Sequence, residues 1–129
     1  MFNIQNNRII TIVKGDTIKI PLFINANTDL EPVGFPFGHY DKIFFSVMEA
    51  NQPFNCGVIR HTYGYEDLNE SGDIVIQLSH EDTINLLPGD YYYEIKLLIR
   101  QVEEFNGEEV LLDEKIDTIV PRTKFVILN

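Results

Sequence analysis

An all-β sandwich is the fold this sequence predicts, and three observations predict it. Apolar residues recur at every second position in short runs, the repeat that sends alternate side chains to opposite faces of a strand. Clusters of Gly, Pro, Asn and Asp separate those runs as turns. Helical periodicity is confined to one brief stretch, so the strand–helix alternation that builds a parallel sheet is missing. At 129 residues the chain matches about one domain. With 44% apolar and 12% aromatic residues it can bury a core. No linker, internal repeat or low-complexity segment divides it.

The elements follow in order. Arg8 to Val13 is short and β-branched, and Gly15-Asp16 turns the chain into Thr17 to Ile24, where Ile18, Ile20, Leu22 and Ile24 share a face. Pro21 cannot donate to a ladder, which predicts an edge or a bulge there. Asn25 to Asp41 reads as a long loop. Lys42 to Met48 is a strand, followed by a turn and a second strand from Cys56 to Thr62. Tyr65 to Gly72 is polar and turn-like, and Asp73 to Ser79 alternates with Ile74, Ile76 and Leu78 on one side. Ser79 is placed to cap a helical turn, with Asp82 three residues later, and Pro88-Gly89 ends it. Tyr91 to Arg100 is a long strand with Tyr91, Tyr93, Ile95, Leu97 and Ile99 on its core side, and Glu94, Lys96 and Arg100 on its wet side. A hairpin tip at Phe105-Asn106-Gly107 leads to Val110 to Ile116. The last run, Thr118 to Leu128, carries Pro121, again the mark of an edge or bulge. About eight short strands result.

Ten Lys+Arg against twenty Asp+Glu give a net charge of -10. A field of that sign repels phosphate, so neither nucleic acid nor an anionic membrane is expected as a partner. One cysteine, Cys56, allows no intrachain disulfide. No run reaches the roughly 18 apolar residues of a spanning helix, and Met1 to Lys14 lacks a signal-peptide pattern.

No catalytic constellation stands out. His39, His61 and His80 fall in a loop, on a strand and in the helical turn, without the spacing of a zinc site. Cys56 opens an apolar strand and reads as a buried, inert thiol. Asp67 to Asp73 resembles the first half of a calcium loop, but Leu78 stands where a bidentate Glu is required, so an Asx-rich turn with Gly72 at a special backbone angle is the better account. Glu103-Glu104 and Glu108-Glu109 flank a hairpin tip, where adjacent residues point to opposite sides, as a solvated rim. No metal or cofactor is expected. Among aromatics, Tyr91 and Tyr93 point one way and Tyr92 the other, which leaves Tyr92 available for recognition. Phe35, Phe37 and Tyr40 lie in a Pro- and Gly-rich loop that either folds back over one end of the sandwich or awaits a partner.

Leu87-Pro88-Gly89-Asp90-Tyr91 looks like the turn into a late strand of immunoglobulin-like sandwiches, where a tyrosine hydroxyl bonds back to nearby backbone. Several segments together resemble the immunoglobulin-like N-terminal domain of phage baseplate upper proteins and related small structural proteins of tailed phages and prophages. They are Gly15-Asp16-Thr17, Leu68 to Leu78, Glu81-Asp82-Thr83, Pro88 to Ile95, Asp117-Thr118-Ile119 and Phe125-Val126-Ile127. The resemblance implies an immunoglobulin-like antiparallel β-sandwich of about seven to nine strands with one short helical turn. It also implies a non-enzymatic virion protein, a tail or baseplate accessory or a head decoration, made in the host cytoplasm. Such a protein docks other virion proteins in multiple copies. The candidate contacts are Phe35, Phe37, Tyr40 and Tyr92, together with the sandwich edges at Thr17 to Ile24 and Thr118 to Leu128. The alternative is a carbohydrate-binding module that stacks Tyr92 or the aromatic loop on a sugar, although the chain has no Trp.

Overall fold

Alternating β-branched and aromatic residues extend the backbone and give each strand one apolar face to bury. In the computed structural model, which describes residues 9–22, 25–26, 33–34 and 37–129, the strands are β1 (Ile10–Val13), β2 (Ile18–Leu22), β3 (Asn25–Ala26), β4 (Val33–Gly34), β5 (Lys42–Met48), β6 (Ile59–Tyr63), β7 (Ile74–Leu78), β8 (Gly89–Phe105) and β9 (Glu108–Leu128). One short helix, α1 (His80–Ile84), precedes β8. A five-stranded sheet in the order β1-β9-β8-β5-β6 faces the antiparallel pair β2-β7, and β3-β4 forms a small separate ladder. Ile43, Phe45, Val47, Tyr93, Ile95, Val120 and Phe125 from the large sheet meet Ile20, Leu22, Ile74, Ile76 and Leu78 from the small one in a single core. The fold is an all-β sandwich with little helix.

This order matches the immunoglobulin-like arrangement, with β9, β8, β5 and β6 in the places of strands G, F, C and C′, and β2 and β7 in those of B and E. The corner before β8 adds to the match. The Tyr91 hydroxyl donates to the carbonyl oxygen of Leu87 at 2.7 Å, closing the tyrosine corner expected from the sequence. On the other side of that corner the Asp82 carboxylate accepts the Ser79 backbone N–H at 2.7 Å. Thr83, fully buried, accepts the Gly15 N–H at 2.9 Å. The helical turn thus clamps the β1–β2 turn.

Four expectations need correction. The large sheet is mixed, because β1 runs parallel to β9 from Ile10↔Phe125 to Val13↔Leu128; side-chain alternation is the same in either direction and does not encode it. Val110–Ile116 and Thr118–Leu128 are not separate short strands but one strand of 21 residues. The segment Thr118–Leu128 is not an edge throughout, since residues 125–127 lie between β1 and β8. Cys56 is exposed, in a 3₁₀ turn (Phe54–Cys56) that ends before β6 begins. The apolar residues after it suggested a strand start, but a Cβ at Gly57 would collide with Ser46 Oγ and the Val47 carbonyl oxygen, a packing that only glycine permits.

The two prolines behave as backbone logic requires. Pro21 pairs with Val75 in a two-stranded sheet, where β2 is an edge. Pro121 falls where the register jumps from Tyr93↔Thr123 to Ile95↔Val120, a bulge. Arg8, Ile24 and Phe35 lie outside the described residues.

Candidate functional site

Strand β5 begins at the pair Lys42↔Leu98, and beyond it β8 and β9 continue together to the tip. The seven residues from Ile99 to Phe105 carry the tip roughly 24 Å past the start of β5, at about 3.4 Å per residue. Asn106 (φ 53°) and Gly107 (φ 81°) turn the chain there, with both central residues in the left-handed region as the Asn-Gly type I′ hairpin demands. The register skips Leu112, leaving it as a bulge between Leu111↔Val102 and Asp113↔Gln101.

This arm is apolar and acidic at once. Phe105, Val110, Leu111 and Leu112 are 50, 39, 51 and 46% exposed, and Ile116, at the base of the arm, is 58% exposed; together they are nearly half of all the large exposed hydrophobic side chains among the described residues. Between them stand six carboxylates, Glu103, Glu104, Glu108, Glu109, Asp113 and Glu114, against only Arg100 and Lys115. Arg100 Nε lies 3.4 Å from Glu114 Oε2, an ion pair across the ladder whose nitrogen makes no aligned hydrogen bond. At the root, buried Asp41 holds two segments together. Its Oδ1 accepts the Arg100 N–H at 3.1 Å and its Oδ2 accepts the Gly38 N–H at 2.8 Å. The Tyr40 hydroxyl bonds to Glu109, and that hydrogen bond, then burial and the nearby carboxylates, push the phenol above its ordinary value.

The outer face of the large sheet has the opposite sign. Because Tyr93, Ile95 and Leu97 enter the core, their neighbours Tyr92, Glu94 and Lys96 point outward. In register with them stand Lys124 opposite Tyr92, and Arg60 opposite Ser46, itself opposite Glu94; Lys42, opposite Leu98, faces the same way. Arg122 joins this face by donating to Glu94 Oε1 at 3.1 Å and to the Gln52 carbonyl at 2.8 Å. Lys96 Nζ sits 4.6 Å from the centre of the Phe54 ring, a cation–π contact. Five cations, Lys42, Arg60, Lys96, Arg122 and Lys124, thus share a face with Asp90 and Glu94, and Asp90 is paired to Lys124 at 3.5 Å.

The expected contact residues do not form one surface. Phe37 packs against the core, so that part of the aromatic loop folds back. Tyr40 lies alongside the arm, within reach of Glu109 near its tip, and Tyr92 lies opposite Met48 at the other end of β5. Phe35 is outside the described residues.

Away from the arm and the basic face, an open groove of about 460 Å³ is lined by Lys19, His61, Gln77, Ser79 and Asp82 among others. His61 Nε2 lies 3.1 Å from Asp82 Oδ1, and this pair ties β6 to α1. Ser79 Oγ donates to the carboxylate at 3.3 Å rather than to the imidazole, so the three are not ordered as a nucleophile–base–carboxylate triad. Nearby, the Tyr63 hydroxyl accepts the Gln77 N–H at 3.1 Å, satisfying a donor on the outer edge of β7. Asn69 Oδ1 accepts the N–H groups of Ser71 and Asp73, both at 2.9 Å, beside Gly72 at φ 81°; the calcium-like segment is an Asx turn. Among the described residues no three His, Cys, Asp or Glu side chains are grouped to hold a metal, and no helix is long and apolar enough to cross a membrane.

No family model, curated protein or solved structure matches this chain.

The arm and the basic face escaped sequence reasoning for different reasons. The tip was legible from Asn106-Gly107, and a strand was expected from Val110 to Ile116, yet alternation does not say whether another layer covers it. The cations are scattered along the chain from Lys42 to Lys124 and converge only through the register of four strands. The signal that could have located the arm is the span of uninterrupted strand on both sides of the tip, longer than the five to seven residues of β2, β5, β6 and β7.

Proposed function

We propose that this chain is a non-enzymatic structural protein of a phage or prophage particle, a docking subunit present in multiple copies. The observation that supports this reading is the projecting β8–β9 arm, which exposes apolar side chains on a two-stranded ladder. Such a hairpin is marginal by itself in water, and an apolar surface of this kind marks an interaction site. The family likeness of the sequence supplies the particle. High local copy number multiplies weak contacts through effective concentration.

The test is purification of particles from the organism that encodes the chain, with quantitative mass spectrometry of their proteins. The chain is expected in fixed stoichiometry, at several copies or more per particle. Absence from purified particles, with a gene lying among metabolic genes, overturns the reading.

A further inference from the structure

We infer that the occupant of the arm is a second copy of this chain: the acidic arm of one molecule lies against the basic outer sheet face of the next. This rests on the docking reading and names its partner. Two observations select that occupant over others. The chain as a whole carries a charge of -10, yet its cations are not spread evenly. Half of the ten Lys and Arg residues, namely Lys42, Arg60, Lys96, Arg122 and Lys124, lie on one sheet face. Six carboxylates with two cations lie on the arm. The molecule therefore carries two patches of opposite sign, and each is what the other would recognise.

Geometry keeps the two patches from meeting within one molecule. The arm continues the strands whose outward side chains make the basic face, so it points away along the sheet instead of folding over it. Contact between identical arms is opposed by like charge. Strand addition along the arm is also hindered: Leu112 bulges from β9, and the Arg100 N–H on β8 is already taken by Asp41. What remains is docking of the arm's side chains. The exposed apolar residues supply area, with Phe44, Phe54 and Tyr92, all partly buried on or over the basic face, as their counterpart. Because the two surfaces differ, the contact either closes reciprocally into a two-fold dimer or runs head-to-tail into a ring or a filament.

The experiment is a charge swap on the full chain, read by light scattering and sedimentation. One variant reverses the arm (Glu103→Lys, Glu104→Lys, Glu108→Lys and Glu109→Lys), and a second reverses the face (Lys42→Glu, Lys96→Glu and Lys124→Glu). Circular dichroism and thermal melting first establish that both are folded. Wild type is expected to associate with rising concentration, and each variant alone to associate at least about tenfold more weakly. An equimolar mixture should recover association, since each variant's arm then meets a face of opposite sign. Wild type that stays monomeric into the millimolar range, or variants that associate alone as well as the mixture does, overturns the inference. The docking reading is judged separately: if wild type is monomeric but the chain is found in purified particles, that reading stands and only the second copy is rejected.

Discussion

Within the β8–β9 hairpin, the half from Gly89 to Leu98 with its partner from Ile116 to Leu128 alternates between a dry side and a wet one. The half beyond Ile99 is wet on both. The same two strands, joined by one turn, pass from the centre of a five-stranded sheet into water and stay paired to the tip, with bulges along the way. In the proximal half, Tyr93, Ile95, Val120 and Phe125 are fully buried, and the Tyr93 ring lies 5.9 Å from Phe45 and 6.4 Å from Phe125. In the distal half the ladder is supported by cross-strand pairs, the Arg100–Glu114 ion pair, the Asp41 anchor and the Tyr40–Glu109 hydrogen bond. Burial stabilises the first half, and local bonds hold the second. The comparison teaches that hairpin length and hairpin stability are separate quantities here, and that the surplus length is available for contact.

Hydrogen exchange gives the sharpest test of that contrast. Amides of Ile95 and Leu97 should exchange only through global unfolding, while those of Val102 and Glu104 exchange through fraying of the arm. A difference of about a thousandfold or more is expected between the two sets. Equal protection along the hairpin would mean that the arm shares the core's cooperativity, and the contrast would fail.

Truncation at matched positions comes next in size. Tyr93→Ala removes a fully buried ring and should cost about 3–5 kcal/mol in denaturant melts. Leu111→Ala, on the arm, should cost less than about 1 kcal/mol. A large loss at Leu111 would show that the arm is packed after all.

The smallest expected effect is in titration. Burial raises the phenols of Tyr63 and Tyr91, and the hydrogen bond to Glu109 raises that of Tyr40, all above the ordinary 10.0. A folded-state value above the unfolded one means that the associated stability is fully present below pH 10 and lost as pH rises through the folded values. A phenolate absorbance titration should therefore show late-ionising tyrosines in the native protein. Glu109→Gln should return Tyr40 toward the ordinary value and leave Tyr63 and Tyr91 where they were. If it moves none of them, the tie between Tyr40 and the arm is not present in solution.

Much of the architecture was legible because its causes are local. The pattern of Ile74, Ile76 and Leu78 fixed one face of β7, Ser79 with Asp82 marked the helix start, and Leu87 to Tyr91 marked the corner. Strand Lys42–Met48 falls at its expected bounds. What was not legible depends on partners distant in sequence. The direction of β1 is set by its docking on β9. Cys56 reads as buried only if the strand begins there, and the turn around Phe54 displaces it. The basic face needs four strands in register before it exists. For the same reason alternation could not show that Tyr40 and Tyr92, both offered as contacts, stand at opposite ends of β5.

The Val110-Leu111-Leu112 run lies between Glu108-Glu109 on one side and Asp113-Glu114 on the other. Short β-prone apolar segments of this kind nucleate aggregates unless charges flank them as gatekeepers. The same four carboxylates would then serve two ends, keeping newly made chains dispersed and deciding which surface finally receives the segment. Neutralising them would endanger solubility first, before any assembly defect could be observed.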